Sequence, residues 1–529
     1  MTPTVHPLSK DVVLIGGGHT HALFLRAWGM RPIAGARLTL INPAPSAPYT
    51  GMLPGHIAGH YQRDDLEIDL VKLARFAGAR LILGTVVGLD RVQKRISISQ
   101  RPDIRYDIAS FDIGITSSMP DLTGFAEHGV AAKPLGPFAK CWSKFLTQDG
   151  KKDVVVLGAG VAGIELALAM KYRLDQAQRA DRITIVETGQ ALTGVAPKAR
   201  ALLLSEIAKA RIDIIEGTKA TEISSNSVTL DTGESIDAGL VVGAAGARPF
   251  DWLAATGLDL TDGFLTVDGS LRSTNDPSVY AAGDCAHLSH APRPKAGVFA
   301  VRAAPVLAHN IRADLTGHAR RRFQPQSSYL KLISLGRKSA VTDKWGLAYA
   351  GDWVWKWKDR IDRRFMDRLS DLPKMKHKGP KNAVTPTDND FDAPLCGGCG
   401  AKVGGELLDA AIKRSLPDTG QFDAKGPGDD AAILEVENVR QVMSTDHLRA
   451  FWDDPYVMAK IAAVHALGDV WAMGAEPQAM LPQIILPKMS EAMQSAWSVS
   501  YTHLRAHETN DLISYAVFCL KMGGGGGGG

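Results

Sequence analysis

The chain has 529 residues, of which 45% are hydrophobic and 22% are charged, and its net charge is +4. This length exceeds what one hydrophobic core supports, so we expect several domains of ordinary globular composition. The small net charge gives no reason to expect a nucleic-acid partner, and the five cysteines form no closely spaced framework of the kind that secreted domains use. Without a secretion signal or an apolar run long enough to span a bilayer, the chain is predicted to be cytoplasmic, with at most peripheral membrane contact.

A glycine-rich turn follows the first apolar run, residues 12–15, and leads into a helical pattern. Strand, turn and helix in this order are typical of a dinucleotide-binding unit, in which Gly16 and Gly18 let the backbone approach a pyrophosphate at the helix N-terminus. Two positions of this predicted cofactor site depart from the pattern, because His21 replaces the third glycine and Asn42 replaces the acidic residue that usually contacts a ribose. Asn42 can still hydrogen-bond a ribose hydroxyl, more weakly than a carboxylate does. A glycine-rich turn without any ligand is the alternative interpretation.

A second and more regular turn follows the apolar residues 154–157. Gly158, Gly160 and Gly163 have the full dinucleotide-binding spacing, and Glu187 follows the next apolar run at the distance that reaches a ribose 2′-hydroxyl. A carboxylate there accepts a hydrogen bond from NADH and repels the 2′-phosphate of NADPH. Because a hydrogen bond to a charged group contributes roughly 1.5–3 kcal/mol, we predict a preference for NADH of about tenfold or more.

A third apolar run, residues 278–282, ends in Gly283 and Asp284. Together with the two glycine turns, in this order, it resembles the two-dinucleotide-binding flavoproteins over residues 11–323. The resemblance implies that Asp284 binds the ribityl chain of FAD. It also implies that the first turn belongs to the FAD site and the second to the NADH site.

The sequence has no closely spaced cysteine pair before residue 373, and this limits the possible electron acceptors. Disulfide reductases of this superfamily relay electrons through a cysteine pair beside the flavin. Cys141 and Cys285 are single, and we interpret them as small buried hydrophobic residues. The chain therefore resembles type II NADH dehydrogenases, and residues 294–298 and 335–340 are similar to the flavin-flanking and C-terminal segments of that group. The resemblance implies NADH as the donor and a quinone or another small molecule as the acceptor.

A basic, aromatic stretch follows the flavoprotein motifs. Trp353, Trp357, Ile361 and Phe365 recur every four residues and are interleaved with lysines and arginines. An amphipathic helix of this composition is typical of an interfacial anchor to anionic lipid, here on the inner face of the membrane. The alternative is a helix that packs its apolar stripe against its own domain.

A second globular region follows a linker rich in lysine, proline, aspartate and asparagine. Its aspartates Asp430, Asp446 and Asp469 each end a strand or turn and can converge on Mg²⁺ ions that bridge nucleotide phosphates. Together with the preceding Cys399 and Lys402, they resemble the N-terminal half of selenophosphate synthetase (selenide, water dikinase). The resemblance implies that Cys399 and Lys402 are catalytic, that the aspartates bind Mg²⁺ with ATP, and that the protein is a homodimer.

The resemblance to the dikinase stops near residue 498. The remaining residues, 499–529, end in seven glycines and include a string similar to the translated read-through of a sequencing adapter, so we expect this tail to be non-native. The further nucleotide-binding segment and the second α/β domain of that family do not follow in this sequence. We therefore expect that this chain does not complete an ATP site.

These motifs predict an α/β chain with two Rossmann-like dinucleotide-binding domains, for FAD and NAD, followed by a truncated α+β ATP-binding domain of the selenophosphate synthetase type. The predicted function is NADH oxidation by a FAD enzyme that is fused to an incomplete dikinase. The alternative makes selenophosphate synthesis the main function of a full-length parent, with the flavoprotein as an accessory. The predicted boundaries are 1–150 with 246–325 for the FAD-binding domain, 151–245 for the NAD-binding domain, 326–372 for the basic segment, 373–392 for the linker, 393–498 for the partial dikinase domain and 499–529 for the tail.

Overall fold

The computed structural model describes residues 7–148, 152–373, 431–436, 439–446 and 454–480, and the single positions 406, 407, 410, 414, 448, 452, 490 and 491. The chain divides into two compact units. The large unit is formed by Lys10–Ser99 and Tyr106–Pro373, and the small unit by Met1–Ser9, Gln100–Arg105 and Lys374–Gly529.

The large unit begins with a parallel sheet that is buried on both faces. Within the chain up to residue 111, the strands are β1 (Lys10–Ile15), β2 (Ala36–Asn42), β3 (Ser46–Pro48), β4 (Glu67–Asp69), β5 (Arg80–Leu83), β6 (Val86–Asp90), β7 (Arg95–Ile98), β8 (Arg101–Arg105) and β9 (Ile108–Phe111), and the helices are α1 (His19–Met30), α2 (Leu53–Ile57) and α3 (Leu70–Ala77). Strands β9, β1, β2 and β5 pair in that order, all parallel. Val12, Val13 and Leu14 of β1 are completely buried, as expected for a strand covered on both sides.

A second parallel sheet carries the second glycine turn. Its part of the chain contains the strands β10 (Gly129–Ala131), β11 (Val154–Leu157), β12 (Ile183–Glu187), β13 (Asp213–Glu216), β14 (Ala220–Ile223), β15 (Ser227–Leu230), β16 (Ser235–Asp237) and β17 (Leu240–Gly243), and the helices α4 (Phe125–His128), α5 (Leu135–Leu146), α6 (Val161–Gln176) and α7 (Pro197–Lys209). The strand order is β10-β17-β11-β12-β13, all parallel, and β14, β15 and β16 form an antiparallel sheet. The predicted pair of Rossmann-like units is confirmed.

The chain then returns to the first sheet. The remaining elements of the large unit are β18 (Leu260–Thr261), β19 (Phe264–Val267), β20 (Val279–Ala281), β21 (Ala286–Leu288), β22 (Lys331–Leu335), β23 (Arg337–Asp343), β24 (Ala350–Gly351), α8 (Gly297–Thr316) and α9 (Asp352–Ser370). Strand β20 pairs in parallel with β9 and completes a five-stranded sheet. Because the carboxyl ends of parallel strands share one edge, the residues after β20 lie at the same edge as the turn after β1.

The small unit contains, within its described residues, strand β8, the antiparallel strands β25 (Ala432–Val436) and β26 (Val439–Met443), and the helix α10 (Pro455–Ala472). Asp454 caps α10 by accepting the N–H of Tyr456 at 3.1 Å, and Pro455 occupies the first helical position. Val442 of β26 and Val470 of α10 belong to its small apolar core. None of the described helices of either unit combines the length and the apolar composition that crossing a bilayer requires.

Candidate functional site

The turn after β11 has the backbone that close approach of a dinucleotide requires. Gly158 has a φ of +109°, and its N–H donates to the carbonyl of Val186 at 2.8 Å. A Cβ at Gly163 would lie 2.0 Å from the carbonyl oxygen of Gly158, so only glycine lets α6 pack this close to the end of β11. A Cβ at Gly160 would meet no neighbouring atom within 4 Å, so the space before α6 is open to a pyrophosphate.

Glu187 ends β12 beside this turn. Its carboxylate accepts the N–H of Ala159 at 2.7 Å and the N–H of Gly189 at 3.0 Å. Partial burial alone would raise the pKa of Glu187, but the hydrogen bonds from Gly189 and Ala159 outweigh burial and lower it. The side chain is therefore an anion at neutral pH, and Oε2, which accepts the N–H of Ala159, retains a lone pair for a ribose hydroxyl.

The turn after β1 is equally dependent on glycine. Gly16 has a φ of +88°, and a Cβ there would lie 2.5 Å from the carbonyl oxygen of Asp112. Gly18 is the N-cap residue of α1 and supplies no side-chain cap. Gly283, which follows β20 at the same sheet edge, has a φ of +69°. These three glycines and the N-terminus of α1 lie around a space that suits a dinucleotide.

The two irregular positions of the first motif have local partners. His21 is completely buried, with Nδ1 2.7 Å from the carbonyl oxygen of Gly16 and Nε2 2.8 Å from the hydroxyl of Ser110. Burial lowers the pKa of His21 to about 4, so the ring is neutral and bridges the turn to the sheet where glycine usually stands. The Asn42 carbonyl accepts the N–H of Gly17 at 2.9 Å, so its amide also secures the turn.

Asp284 follows Gly283 and lines a cavity of about 400 Å³. Its carboxylate accepts a hydrogen bond from Lys133 at 3.2 Å. The cavity is also lined by Phe264, Phe299 and Lys295, and the Lys295 ammonium lies 3.7 Å from the ring centre of Phe264. Burial lowers the pKa of Lys295 below that of an ordinary lysine. The cavity therefore combines aromatic walls with a partly desolvated cation.

Asp112, the residue after β9, was not predicted from the sequence. Its side chain accepts the N–H of Thr20 at 2.8 Å and that of His21 at 3.1 Å. Burial, opposed in part by these bonds, raises the pKa of Asp112 to about 7. The available sequence signal is an acidic residue directly after an apolar strand.

A buried polar cluster on the inner face of α9 was also missed. Lys358 donates to Asp362 at 2.6 Å and to the carbonyl of Gly51, and the Tyr49 hydroxyl donates to Asp362 at 2.9 Å. Nearby on α6, Glu165 accepts the N–H of Ser334 at 2.7 Å. Burial raises the pKa of Glu165, and the charge of Lys358 opposes that rise.

The apolar stripe predicted along α9 divides between two faces. Trp353, Trp357 and Ile361 are 55%, 42% and 42% exposed. Phe365 instead turns inward, where its ring stacks on Tyr49 with 4.7 Å between ring centres. The packing interpretation therefore holds for Phe365, and for the exposed residues the membrane anchor stays a prediction.

In the large unit, the described cysteines are unpaired thiols. Cys285 is buried, and burial raises its pKa to about 12, so it is not a thiolate at neutral pH. Cys141 is half-buried, and burial raises its pKa as well. Neither thiol is placed to relay electrons as a dithiol.

In the small unit, two of the predicted metal-binding aspartates contact neighbouring side chains. Asp446 is hydrogen-bonded to His465 of α10, and Asp469, one helical turn after His465, accepts the hydroxyl of Ser444 at 2.7 Å. The predicted residues Cys399, Lys402 and Asp430 lie outside the described residues. Within the part of the chain that the structure describes, no three His, Cys, Asp or Glu side chains are grouped as a metal site.

Comparison with known proteins agrees with this architecture. The family model of pyridine nucleotide-disulphide oxidoreductases matches residues 10–306. The NADH dehydrogenase-like protein YutJ of Bacillus subtilis is 22% identical over 290 residues, which are 54% of this chain and 78% of that protein. The sulfide:quinone oxidoreductase of Aquifex aeolicus has a similar fold, with a TM-score of 0.59 and 17% identity over 68% of this chain and 92% of that one.

The C-terminal region matches a different group. The model of the N-terminal domain of AIR synthase related proteins matches residues 428–503. The selenide, water dikinase of Aeromonas hydrophila is 34% identical over 84 residues, which are 15% of this chain. The chain spans about a quarter, 24%, of the length of that dikinase. The chain thus belongs to the pyridine nucleotide-disulphide oxidoreductase family, and it is an oxidoreductase with a partial AIR synthase-related domain fused behind it.

Proposed function

We propose that the large unit oxidises NADH with a bound FAD and passes the electrons to a quinone or another small, non-disulfide acceptor. The observation that carries the proposal is the presence of two glycine turns in one unit, each before a helix, with Glu187 beside the second. Membership of the family implies both cofactors. FAD, when bound, accepts a hydride from NADH and passes two electrons on.

The residues of each turn have distinct tasks in this proposal. Gly158, Gly160 and the start of α6 hold the pyrophosphate of NADH, and Glu187 accepts its ribose hydroxyls and repels a 2′-phosphate. Gly16, Gly18 and the start of α1 hold the FAD pyrophosphate, and the turn after β20 brings Asp284 to the same edge. The chain thus binds and orients two dinucleotides, which is the main task of the protein in hydride transfer.

The burial and separation of the two cysteines in the large unit favour an acceptor that is not a disulfide. Cys285 is a buried neutral thiol and Cys141 has no described cysteine partner, so a dithiol relay has no support in the large unit. The name of the Aquifex aeolicus relative gives quinone as the acceptor of that protein.

Anaerobic spectroscopy of the purified full chain tests this proposal. We expect flavin absorbance bands that bleach when NADH is added and return when a soluble quinone is added. Bleaching that requires NADPH would contradict the assignment of Glu187. A colourless protein that cannot be reconstituted with FAD would overturn the proposal as a whole.

A second candidate acceptor follows from the fused domain. The 34% identity to a selenide, water dikinase suggests that the flavoprotein supplies reducing equivalents that keep selenium at the selenide level. NADH oxidation with selenite or selenodiglutathione, compared with quinone at equal concentration, tests this candidate. Turnover with quinone alone would remove it.

A further inference from the structure

Asp112 is a buried carboxyl group that the proposed reaction does not use. It is 3% exposed, and its Oδ2 accepts the N–H groups of Thr20 and His21 in the first turn of α1. The N-cap residue of that helix, Gly18, supplies no side-chain cap. Asp112 therefore caps α1 from a neighbouring strand and satisfies donors that would otherwise be free for an anion.

The carboxyl group also lies between the two motifs assigned to FAD. A Cβ built on Gly18 would lie 2.3 Å from Cγ of Asp112, and one built on Gly283 would lie 2.3 Å from its Oδ1. Both glycines are therefore in direct contact with this side chain. Asp112 thus lies against the helix end that attracts a pyrophosphate.

The charges around Asp112 do not neutralise it. Among the described residues no ion pair includes Asp112, and the charge of Asp284 opposes its ionisation. Burial, the largest effect, raises the pKa of Asp112 to about 7. The titratable groups that surround the turn are His19 and His21 on α1, Asp284 and Cys285 after β20, and Lys133, which pairs with Asp284.

Three of these neighbours, His19, His21 and Cys285, keep one charge state near neutral pH. Burial lowers the pKa of both His19 and His21 to about 4, and burial raises that of Cys285 to about 12. Among these four buried groups, Asp112 is therefore the one whose pKa lies near 7.

We propose that Asp112 is a proton-linked positioning residue of the FAD site, so that FAD binds with Asp112 protonated and its binding takes up one proton from solvent. The inference rests on the proposed binding of FAD at this turn. A pyrophosphate brought to the start of α1 repels a carboxylate, whereas a carboxylic acid adds no charge. Once protonated, the carboxyl group accepts the N–H groups of Thr20 and His21 more weakly than a carboxylate does, which leaves these donors available to the pyrophosphate.

Isothermal titration of FAD into the flavin-stripped full chain tests this inference. In buffers of different ionisation enthalpy, proton uptake should approach one per FAD bound above about pH 7. The Kd for FAD should rise by about tenfold from pH 6 to pH 8, because each unit above the pKa of Asp112 costs a factor of about ten. The D112N variant keeps the acceptor oxygen and cannot titrate, so it should bind FAD with a pH-independent Kd and no proton uptake.

Two further variants separate Asp112 from its surroundings. Asp276 is a buried acid of the same unit that pairs with Arg91 at 3.0 Å, so D276N should behave as the wild type. Proton uptake that persists in D112N, or that disappears in H19Q, would overturn the inference.

The wild-type titration decides the matter even if D112N fails to fold. A pH-independent Kd without proton uptake would overturn this inference and leave the proposed function standing. Absence of FAD binding at every pH would overturn both.

Discussion

At the scale of single residues, we propose that one carboxylate, Glu187, selects NADH over NADPH at the second turn. Glu187 accepts two backbone N–H groups there, and its pKa lies below the ordinary value. We expect E187Q to raise KM for NADH by about tenfold and to increase kcat/KM for NADPH, because the amide neither carries a charge nor repels a 2′-phosphate. Steady-state rates with each nucleotide measure the change.

Glu216 provides a matched control for that substitution. It ends the neighbouring strand β13 and likewise accepts a backbone N–H, from Ala191 at 2.7 Å. E216Q should leave the ratio of NADH to NADPH rates as in the wild type. An equal shift in both variants, or no shift in E187Q, would contradict the role given to Glu187.

Residue spacing predicted some of these contacts and could not predict others. Position 163 requires glycine because the start of α6 packs against the end of β11, which is a contact between neighbouring segments. The spacing of the glycine motif alone therefore predicts this glycine. The bridge from His21 to Ser110 and the capping of α1 by Asp112 join segments about ninety positions apart. Such contacts depend on the strand order of the sheet, which the motif does not specify.

At the scale of elements, α9 shows why apolar residues spaced four apart do not all lie on one face of a helix. Each step of four residues advances the side chain by about 40° around the helix, so three steps carry Phe365 well away from Trp353. Phe365 accordingly packs on Tyr49, whereas Trp353 and Trp357 remain exposed. The sequence predicted the helix and its basic character but not the division of its apolar residues.

The exposed part of α9 leads to a test of membrane contact. We propose that Trp353, Trp357 and Ile361, with the neighbouring basic side chains, bind an anionic lipid surface. The double variant W353A/W357A should lose most of its co-sedimentation with vesicles containing phosphatidylserine, and high salt should weaken the wild type. W452A, an exposed tryptophan of the small unit, is the control. Equal binding by all three proteins would exclude an anchor on α9.

At the scale of the whole molecule, both glycine turns, Glu187 and Asp284 belong to the large unit. A chain that ends after Pro373 should therefore keep its flavin and oxidise NADH with quinone at an unchanged rate. Removal of residues 499–529 alone is the matched control. A truncated protein that folds and binds FAD but no longer oxidises NADH would show that the small unit takes part in the reaction.

The position of strand β20 in the chain determines the order in which we expect the two sheets to fold during translation. Val279 pairs with Ala109, so the first sheet stays one strand short until the entire second sheet has been synthesised. All strands of the second sheet precede β20 in the chain, so we expect this sheet to fold first during translation. Gly283 and Asp284 reach their places only when β20 docks. We therefore expect FAD to bind late, after the second sheet has become able to bind NADH.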